Sequence, residues 1–178
     1  MSDSGLPWKT PRLQLRRFTT MDLAAFQDYR TDLQLATYQG WQVVDDEQAR
    51  RFLEQHATAP LFQNDQWNQL AIINADNQLI GDVGLCVHAT WAEVGYTINR
   101  NFHKLGYATE ALRLSVTQLF ALTQVWSVHG ITDSRNVASI RVLERAGLQH
   151  IDTLTHDHNT TELVYQISRD RILQHSLE

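Results

Sequence analysis

The 178-residue sequence has one cysteine, three prolines and no long apolar segment. A lone cysteine, Cys86, excludes an internal disulfide framework and favours a reducing compartment, so we expect a cytoplasmic protein. No apolar run approaches the roughly 20 residues that span a bilayer, and residues 1–9 lack the apolar core of a secretory signal. The formal net charge of -5 offers no basic surface for nucleic acid. Neither nucleic acid nor a membrane is therefore an expected partner.

One domain is predicted, because the sequence has no repeat, low-complexity tract or flexible linker and is long enough for a sizeable core. We place this domain at residues 11–170, between tails at 1–10 and 171–178. Hydrophobic periodicity predicts seven strands at Arg12–Phe18, Trp67–Asn74, Gln78–His88, Trp91–Ile98, Trp126–Thr132, Leu148–Thr155 and Thr161–Arg169. It predicts four helices at Met21–Arg30, Asp45–His56, Tyr107–Leu122 and Asn136–Ala146. Three adjacent antiparallel strands followed by alternating helices indicate an α/β (α+β) fold with a mixed sheet.

The segment from His103 to Ala108 has the layout of an anion site. A strand ends near Ile98, a short turn follows, and Gly106 stands directly before a helix. The first N–H groups of a helix lack internal partners and, together with the helix dipole, attract anions. A glycine that eases a tight turn explains the same residues, and one glycine does not separate the two interpretations. The sequence contains neither a G-x-G-x-x-G nor a G-K-[ST] phosphate motif.

Three ordered blocks resemble a known family. They are Ala92-Glu93-Val94-Gly95-Tyr96, the run from His103 to Ala111, and Asn136-x-x-Ser139-x-x-Val142-Leu143-Glu144-x-x-Gly147-Leu148. Together they resemble the GCN5-related N-acetyltransferases (GNATs), most closely the branch that contains bacterial ribosomal-protein N-terminal acetyltransferases. The opening Thr10-Pro11-Arg12-Leu13 and the closing Leu163-Val164-Tyr165 also match, so the resemblance covers nearly the whole chain. It implies the single-domain GNAT fold, with a mostly antiparallel sheet of about seven strands and four helices.

The resemblance implies acetyl-CoA as the cosubstrate and no metal. In the family, the loop pattern Gln/Arg-x-x-Gly-x-Gly/Ala holds the pyrophosphate through backbone amides; Gly106 and Ala108 fit this pattern, and His103 departs from it. The residues expected at the pyrophosphate are His103, Lys104, Leu105, Gly106, Tyr107, Ala108 and Thr109, with a charge contact from Lys104 as a further hypothesis. The pantetheine arm is expected between the strands at Trp91–Ile98 and Trp126–Thr132. Backbone groups of Thr97 and Ile98, the side chain of Asn136 and Ser139 would contact it there.

Two residues are candidates for proton transfer. Glu93 lies on the polar face of its strand and is the candidate base, although a solvated surface carboxylate explains it equally well. Ser139 is the candidate donor to the CoA thiolate, because Leu143 stands where some relatives carry a tyrosine. Water as the donor, or capping of the helix after Asn136, are the alternatives for Ser139.

The acceptor side is less determined by the sequence. Tyr38 and Trp41 are expected beside the amine acceptor, or else pack the N-terminal helices onto the sheet. The predicted reaction is acetylation of a primary amine by direct attack, with a protein N-terminal α-amine, for example of a ribosomal protein, as the leading acceptor. A small amine (a polyamine, amino acid or antibiotic) and a non-catalytic CoA-binding module are alternatives, and monomer and homodimer both stay open.

The histidines and the cysteine do not predict a second site. His156, Asp157 and His158 form the densest group of metal-ligand types, but they lie in a predicted turn with no cysteine beside them. Cys86 lies within a strand and is interpreted as a small core residue. No G-x-S-x-G motif of a serine hydrolase is present.

Overall fold

The structure is a computed structural model that describes residues 5–39, 45–156 and 160–171. Within these residues the chain forms eight strands and five α-helices. The strands are β1 (Trp8–Lys9), β2 (Leu13–Arg16), β3 (Trp67–Asn74), β4 (Leu79–Val87), β5 (Trp91–Ile98), β6 (Ser127–Asp133), β7 (Gln149–His156) and β8 (Thr160–Ser168). The helices are α1 (Leu23–Arg30), α2 (Leu33–Ala36), α3 (Asp46–Thr58), α4 (Tyr107–Leu122) and α5 (Val137–Arg145), with 3₁₀ turns at Thr20–Asp22 and Arg100–Phe102.

The predicted fold class is confirmed, with two short elements added to it. The strand β1 lies inside the segment assigned to the N-terminal tail, where the buried Trp8 pairs with Leu15. The four-residue helix α2 begins after Asp32, whose carboxylate accepts hydrogen bonds from the next turn. Both elements are too short to show a hydrophobic period, so the sequence pattern gave no signal for them.

The eight strands form one sheet in the order β1-β2-β3-β4-β5-β6-β8-β7. Every neighbouring pair is antiparallel except β5 and β6, which run parallel. The parallel pairing joins Trp91–Glu93 to Ser127–His129, whereas β5 continues to Ile98 and β6 to Asp133. The two strands therefore diverge beyond Glu93 and open a cleft toward their C-terminal ends.

Helices cover both faces of the sheet and bury a separate hydrophobic core on each. The larger core lies under α4 and α5 and includes Leu112, Leu119 and Leu143. The smaller core lies under α1 and α3, where Phe26, Leu53 and further apolar residues pack together. Within the described residues, no helix combines the length and apolarity needed to cross a bilayer.

A buried ion pair joins α1 to the sheet in the smaller core. Arg30 donates a hydrogen bond to Asp82 Oδ2 over 3.0 Å, and the hydroxyl of Tyr29 donates to the same oxygen over 2.6 Å. Both charged side chains are almost completely buried. Removal of one partner would break the pair and leave the other charge buried in the core, so the pair fixes the position of α1 on β4.

Candidate active site

The cleft between β5 and β6 exposes backbone groups of one strand. His88 N–H donates to Trp91 O, and Asn99 N–H donates to Ile80 O, each over 2.8 Å. Trp91 and Asn99 thus direct their backbone groups toward β4. Because successive residues of a strand direct these groups to opposite sides, the other odd-numbered residues of β5 also face β4. The even-numbered Tyr96 and Ile98 therefore point theirs into the cleft.

Two of these cleft-facing carbonyls accept hydrogen bonds from side chains. Gln39 donates its amide to Tyr96 O over 3.2 Å, and His103 Nε2 donates to Ile98 O over 2.8 Å. The register favours Tyr96 and Ile98 over Thr97 as backbone partners for a ligand in the cleft, because the backbone of Thr97 faces β4. Tyr96 is not among the residues that the sequence predicts to contact pantetheine, and its cleft-facing backbone follows from the register alone.

The helix α4 begins at the mouth of this cleft with an uncapped end. Gly106 is its N-cap residue, with φ of 83°, a left-handed conformation that favours glycine. Since Gly106 has no side chain, the first N–H groups of α4 receive no side-chain cap, which leaves them available to an anion. His103, Lys104 and Leu105 are exposed beside it.

An ion pair that the sequence did not indicate holds this loop. Arg12 donates to Leu105 O over 3.0 Å and to Glu110 Oε2 over 2.7 Å. Its guanidinium also lies over the ring of Tyr107, 5.0 Å from the ring centroid. Arg12 belongs to the opening block of the resemblance, but its contact with residues nearly a hundred positions later leaves no local signal in the sequence.

The start of α5 forms another wall beside the cleft. Asn136 caps this helix, since its Oδ1 accepts the N–H of Ser139 over 3.1 Å. The Ser139 hydroxyl lies 3.0 Å from the hydroxyl of Tyr96, which also reaches Ser139 O at 3.3 Å. Burial raises the pKa of Tyr96 to about 12, so this hydroxyl stays protonated at neutral pH. Leu143 packs against Gly130, where a Cβ would lie 2.4 Å from Leu143 Cδ2.

Glu93 lies where β5 and β6 begin to diverge, on the sheet face opposite the larger core. It is half-buried and forms no hydrogen bond or ion pair with any residue in the described part of the chain. Burial raises the pKa of Glu93, the charge interaction with His88 lowers it, and the charge of Glu162 raises it further. A carboxylate with a raised pKa in a partly dry position suits a general base.

Three stacked rings flank Glu93, and the sequence gave no sign of them. Trp91 lies between His88 and His129, with centroid distances of 3.9 Å and 4.8 Å and interplanar angles below 30°. His129 is the register partner of Glu93 on β6, and burial lowers the pKa of its imidazole. Cys86, the partner of Glu93 on β4, is buried, and burial raises the pKa of its thiol.

The structure gives only part of the predicted acceptor side. Tyr38 is exposed just after α2, and its neighbour Gln39 reaches the cleft as described above. Trp41 lies outside the described residues, as do two members of the histidine cluster, Asp157 and His158. Within the described ranges, no three His, Cys, Asp or Glu side chains come together in a way that could hold a metal ion.

Comparison with known proteins gives the family. Residues 12–149 match the family described as acetyltransferase (GNAT) domain. The uncharacterized N-acetyltransferase YnaD of Bacillus subtilis (strain 168) is 24% identical over 143 residues, which cover 79% of this chain and 81% of that protein. Both matches include the cleft and the loop before α4.

Solved structures share the whole fold. A GNAT-family acetyltransferase from Bacillus anthracis superposes with a TM-score of 0.80 at 22% identity, covering 91% of this chain and 98% of that one. The ribosomal L7/L12 α-N-protein acetyltransferase RimL, in complex with coenzyme A, gives 0.74 at 16% identity, covering 90% and 96%. Spermidine N-acetyltransferase from Vibrio cholerae, with CoA and spermine, gives 0.76 at 15% identity, covering 92% and 99%.

The family match extends over most of the chain, and the cleft and uncapped helix lie inside it. This confirms the family that the three sequence blocks indicated. The chain belongs to the GNAT acetyltransferase family and is an acyl-CoA-dependent N-acetyltransferase that uses acetyl-CoA as its cosubstrate.

Proposed function

We propose that the protein acetylates the α-amine of a protein N-terminus in the cytoplasm, with ribosomal proteins as the first candidates. The observation that carries this proposal is Glu93, a half-buried carboxylate with a raised pKa at the point where β5 and β6 diverge. Protein α-amines titrate near ~7.7–8.0, so a modest base suffices to produce the neutral nucleophile. The resemblance to the branch of ribosomal-protein acetyltransferases and the structural likeness to RimL support this class of acceptor.

The donor is proposed to lie along the cleft. The N–H groups of Tyr107, Ala108 and Thr109 at the start of α4 would hold the pyrophosphate, together with the loop from His103 to Gly106. Pantetheine would pair with the cleft-facing backbone of Tyr96 and Ile98 and with the Asn136 amide. Lys104, exposed at the mouth, is available for a phosphate contact.

The proposed chemistry is a direct transfer. Glu93 removes a proton from the amine, whose nitrogen attacks the thioester carbonyl; the C–S bond then breaks and the thiolate takes a proton. Ser139 is proposed to supply that proton, because its hydroxyl is hydrogen-bonded to the Tyr96 hydroxyl beside the cleft. Leu143 carries no hydroxyl, so it cannot replace Ser139 in this step.

A small amine is the second candidate acceptor. The likeness to a spermidine N-acetyltransferase favours a polyamine, and Glu93 and Glu162 on the same face would attract a cation. A non-catalytic CoA-binding module is the remaining alternative, and the half-buried, unpaired Glu93 argues for catalysis instead.

The test is an acceptor screen that measures CoA release from acetyl-CoA. Peptides with free N-termini, the same peptides with blocked N-termini, spermidine and single amino acids are compared for kcat/KM. The proposal expects the free N-terminal peptides to give the highest value and blocked peptides to give background. Preference for spermidine would replace the proposed acceptor with a polyamine, and CoA binding without turnover on any amine would support the module.

A further inference from the structure

A carboxylate and an imidazole next to Glu93 form an ordered pair. His88 Nδ1 lies 2.5 Å from Asp65 Oδ1. An ionised carboxylate can only accept hydrogen bonds, so the His88 ring carries its proton on Nδ1 and donates it to Asp65. A neutral ring in this tautomer has its lone pair on Nε2, where it can accept a proton.

The Nε2 atom of His88 is buried, and no hydrogen-bond partner for it occurs within the described ranges. Its ring cannot turn freely, because it stacks on Trp91 at a centroid distance of 3.9 Å. A buried basic nitrogen without a partner is costly to a fold, so its presence beside the proposed base calls for a functional explanation.

Asp65 is itself fixed in place. Its φ of 61° lies in the left-handed region, which aspartate adopts more readily than most residues. Its N–H donates to Val87 O over 2.8 Å and ties this turn to the end of β4. The Asp65 side chain is 75% exposed, whereas that of His88 is 22% exposed. The pair therefore leads from a nearly buried ring to solvent.

Glu93 lies on the same face of the sheet as His88. Cys86 on β4 is the register partner of Glu93, and His88, directly after the end of β4, continues this register opposite Trp91 and is the diagonal neighbour of Glu93. Diagonal neighbours lie roughly 7–8 Å apart at Cα, within reach of long side chains. The other titratable groups that face or influence Glu93 are Cys86 on β4, His129 on β6 and Glu162 on β8.

We propose that Glu93, His88 and Asp65 form a proton path that carries the proton of the acceptor amine to solvent. The inference rests on the proposed amine acetylation. Glu93 takes the proton as the amine N–H bond breaks. Because the Glu93 carboxyl and His88 Nε2 are not within hydrogen-bond distance, one bridging water then carries the proton from the Glu93 O–H to His88 Nε2. His88 releases its Nδ1 proton toward Asp65 and water, and the ring returns to the starting tautomer by exchange. His88 acts through Glu93, so it is a relay residue that does not touch the reacting atoms.

The first test replaces His88 by asparagine, whose amide can still donate to Asp65 but has no basic nitrogen. We expect kcat to fall roughly 10²-fold at unchanged KM for acetyl-CoA, and added imidazole to restore part of it. Asp65→Asn, which keeps a residue tolerant of positive φ, is expected to lose less, about tenfold. His129→Asn is the matched control, since it removes the other ring of the stack and is expected to leave kcat near wild type.

The second test needs no acceptor and so separates this inference from the proposed function. The Glu93 carboxyl carbon is titrated by NMR in wild type, His88→Asn and His129→Asn. The charge interaction with His88 lowers the pKa of Glu93, so His88→Asn is expected to raise the pKa of Glu93. His129→Asn is expected to leave the pKa of Glu93 unchanged. An unchanged Glu93 titration in His88→Asn overturns the path, and so does a loss of kcat that imidazole does not rescue. If the wild-type protein is inactive with every amine, that result contradicts the proposed function and leaves the titration test unaffected.

Discussion

The two faces of the sheet are held together in different ways. The half proposed to hold the donor, formed by α4, α5 and the loop at 103–106 and called the donor half, packs on the sheet through an apolar core. The half proposed to meet the acceptor, formed by α1, α2 and α3 and called the acceptor half, adds the buried Arg30–Asp82 pair to a smaller core. Structural neighbours with this fold are named for different acceptors, a ribosomal protein in one and spermidine in another. Under the proposed function, the buried ion pair lies in the half that meets the amine acceptor.

The largest expected effect tests how far the acceptor half depends on its ion pair. Asp82→Ala leaves Arg30 charged and buried, so we expect the free energy of unfolding to fall by about 3–5 kcal/mol. Urea denaturation followed by far-UV circular dichroism measures it. Glu47→Ala removes one partner of the exposed Glu47–Arg51 pair and should cost only ~0.3–0.5 kcal/mol. Both pairs lie in the acceptor half, so equal losses in the two variants would mean that the buried pair stabilises this half no more than an exposed one does.

The second prediction concerns Glu93, the proposed base. Glu93→Gln is expected to lower kcat roughly 10²-fold, because the amine loses its proton acceptor. In wild type, the raised pKa of Glu93 places the acidic limb of the activity profile above the range of an ordinary glutamate. Wild-type activity is expected to be complete above the pKa of Glu93 and to fall as the pH drops through that pKa. The Glu93→Gln variant is expected to lack this fall. Glu54→Gln on the exposed side of α3 is the control, and full Glu93→Gln activity at every pH would eliminate the base.

The third prediction tests the donor half at its glycine. Gly106→Val places a β-branched side chain at φ of 83°, which costs about 1–2 kcal/mol in the left-handed region. We expect the Kd for CoA to rise about tenfold, since the start of α4 must shift to relieve this conformation. Calorimetric titration with CoA measures the change. Thr117→Val, on the exposed surface of the same helix, is expected to bind CoA normally. If Gly106→Val binds CoA with unaltered affinity, the pyrophosphate does not bind at this loop.

The smallest expected effect concerns the Tyr96–Ser139 hydrogen bond. Tyr96→Phe removes one hydrogen bond worth about 0.5–1.5 kcal/mol, so kcat is expected to fall several-fold while the KM for acetyl-CoA holds. If the hydroxyls act together on the thiolate, the Tyr96→Phe, Ser139→Ala double variant loses no more than Ser139→Ala alone. Additive losses in kcat would instead mean that the two hydroxyls act independently.

Much of the fold follows from local patterns. The bounds of β5 and α4 agree with the predicted Trp91–Ile98 and Tyr107–Leu122, because alternation and helical spacing are both strong there. Asp45 and Asn136 cap their helices, as their residue types favour. Gly147 follows α5 with a positive φ of 99°, the left-handed conformation in which glycine commonly ends a helix.

The rest depends on contacts between distant residues. Asp65 and His88 meet across 23 positions and Arg12 and Glu110 across 98, and neither spacing has a helical or strand period. The divergence of β5 from β6 is a property of the pairing, which strand bounds do not reveal. The sequence identified Glu93 by its face, whereas its buried neighbours, and the absence of a partner for it among the described residues, are visible only in three dimensions.

The divergence of β5 and β6 interrupts the pairing of the sheet along the cleft. The carbonyls of Tyr96 and Ile98 point into it and are held in the free protein by Gln39 and His103, two side chains from outside the sheet. Because a ligand that binds only the folded chain stabilises it, CoA bound in this cleft as proposed would also contribute to the stability of the fold. In the proposed complex its pantetheine arm would act as a removable ninth strand. It would then displace Gln39 from the Tyr96 carbonyl, so the segment at Tyr38 and Gln39 would respond to the binding of the donor.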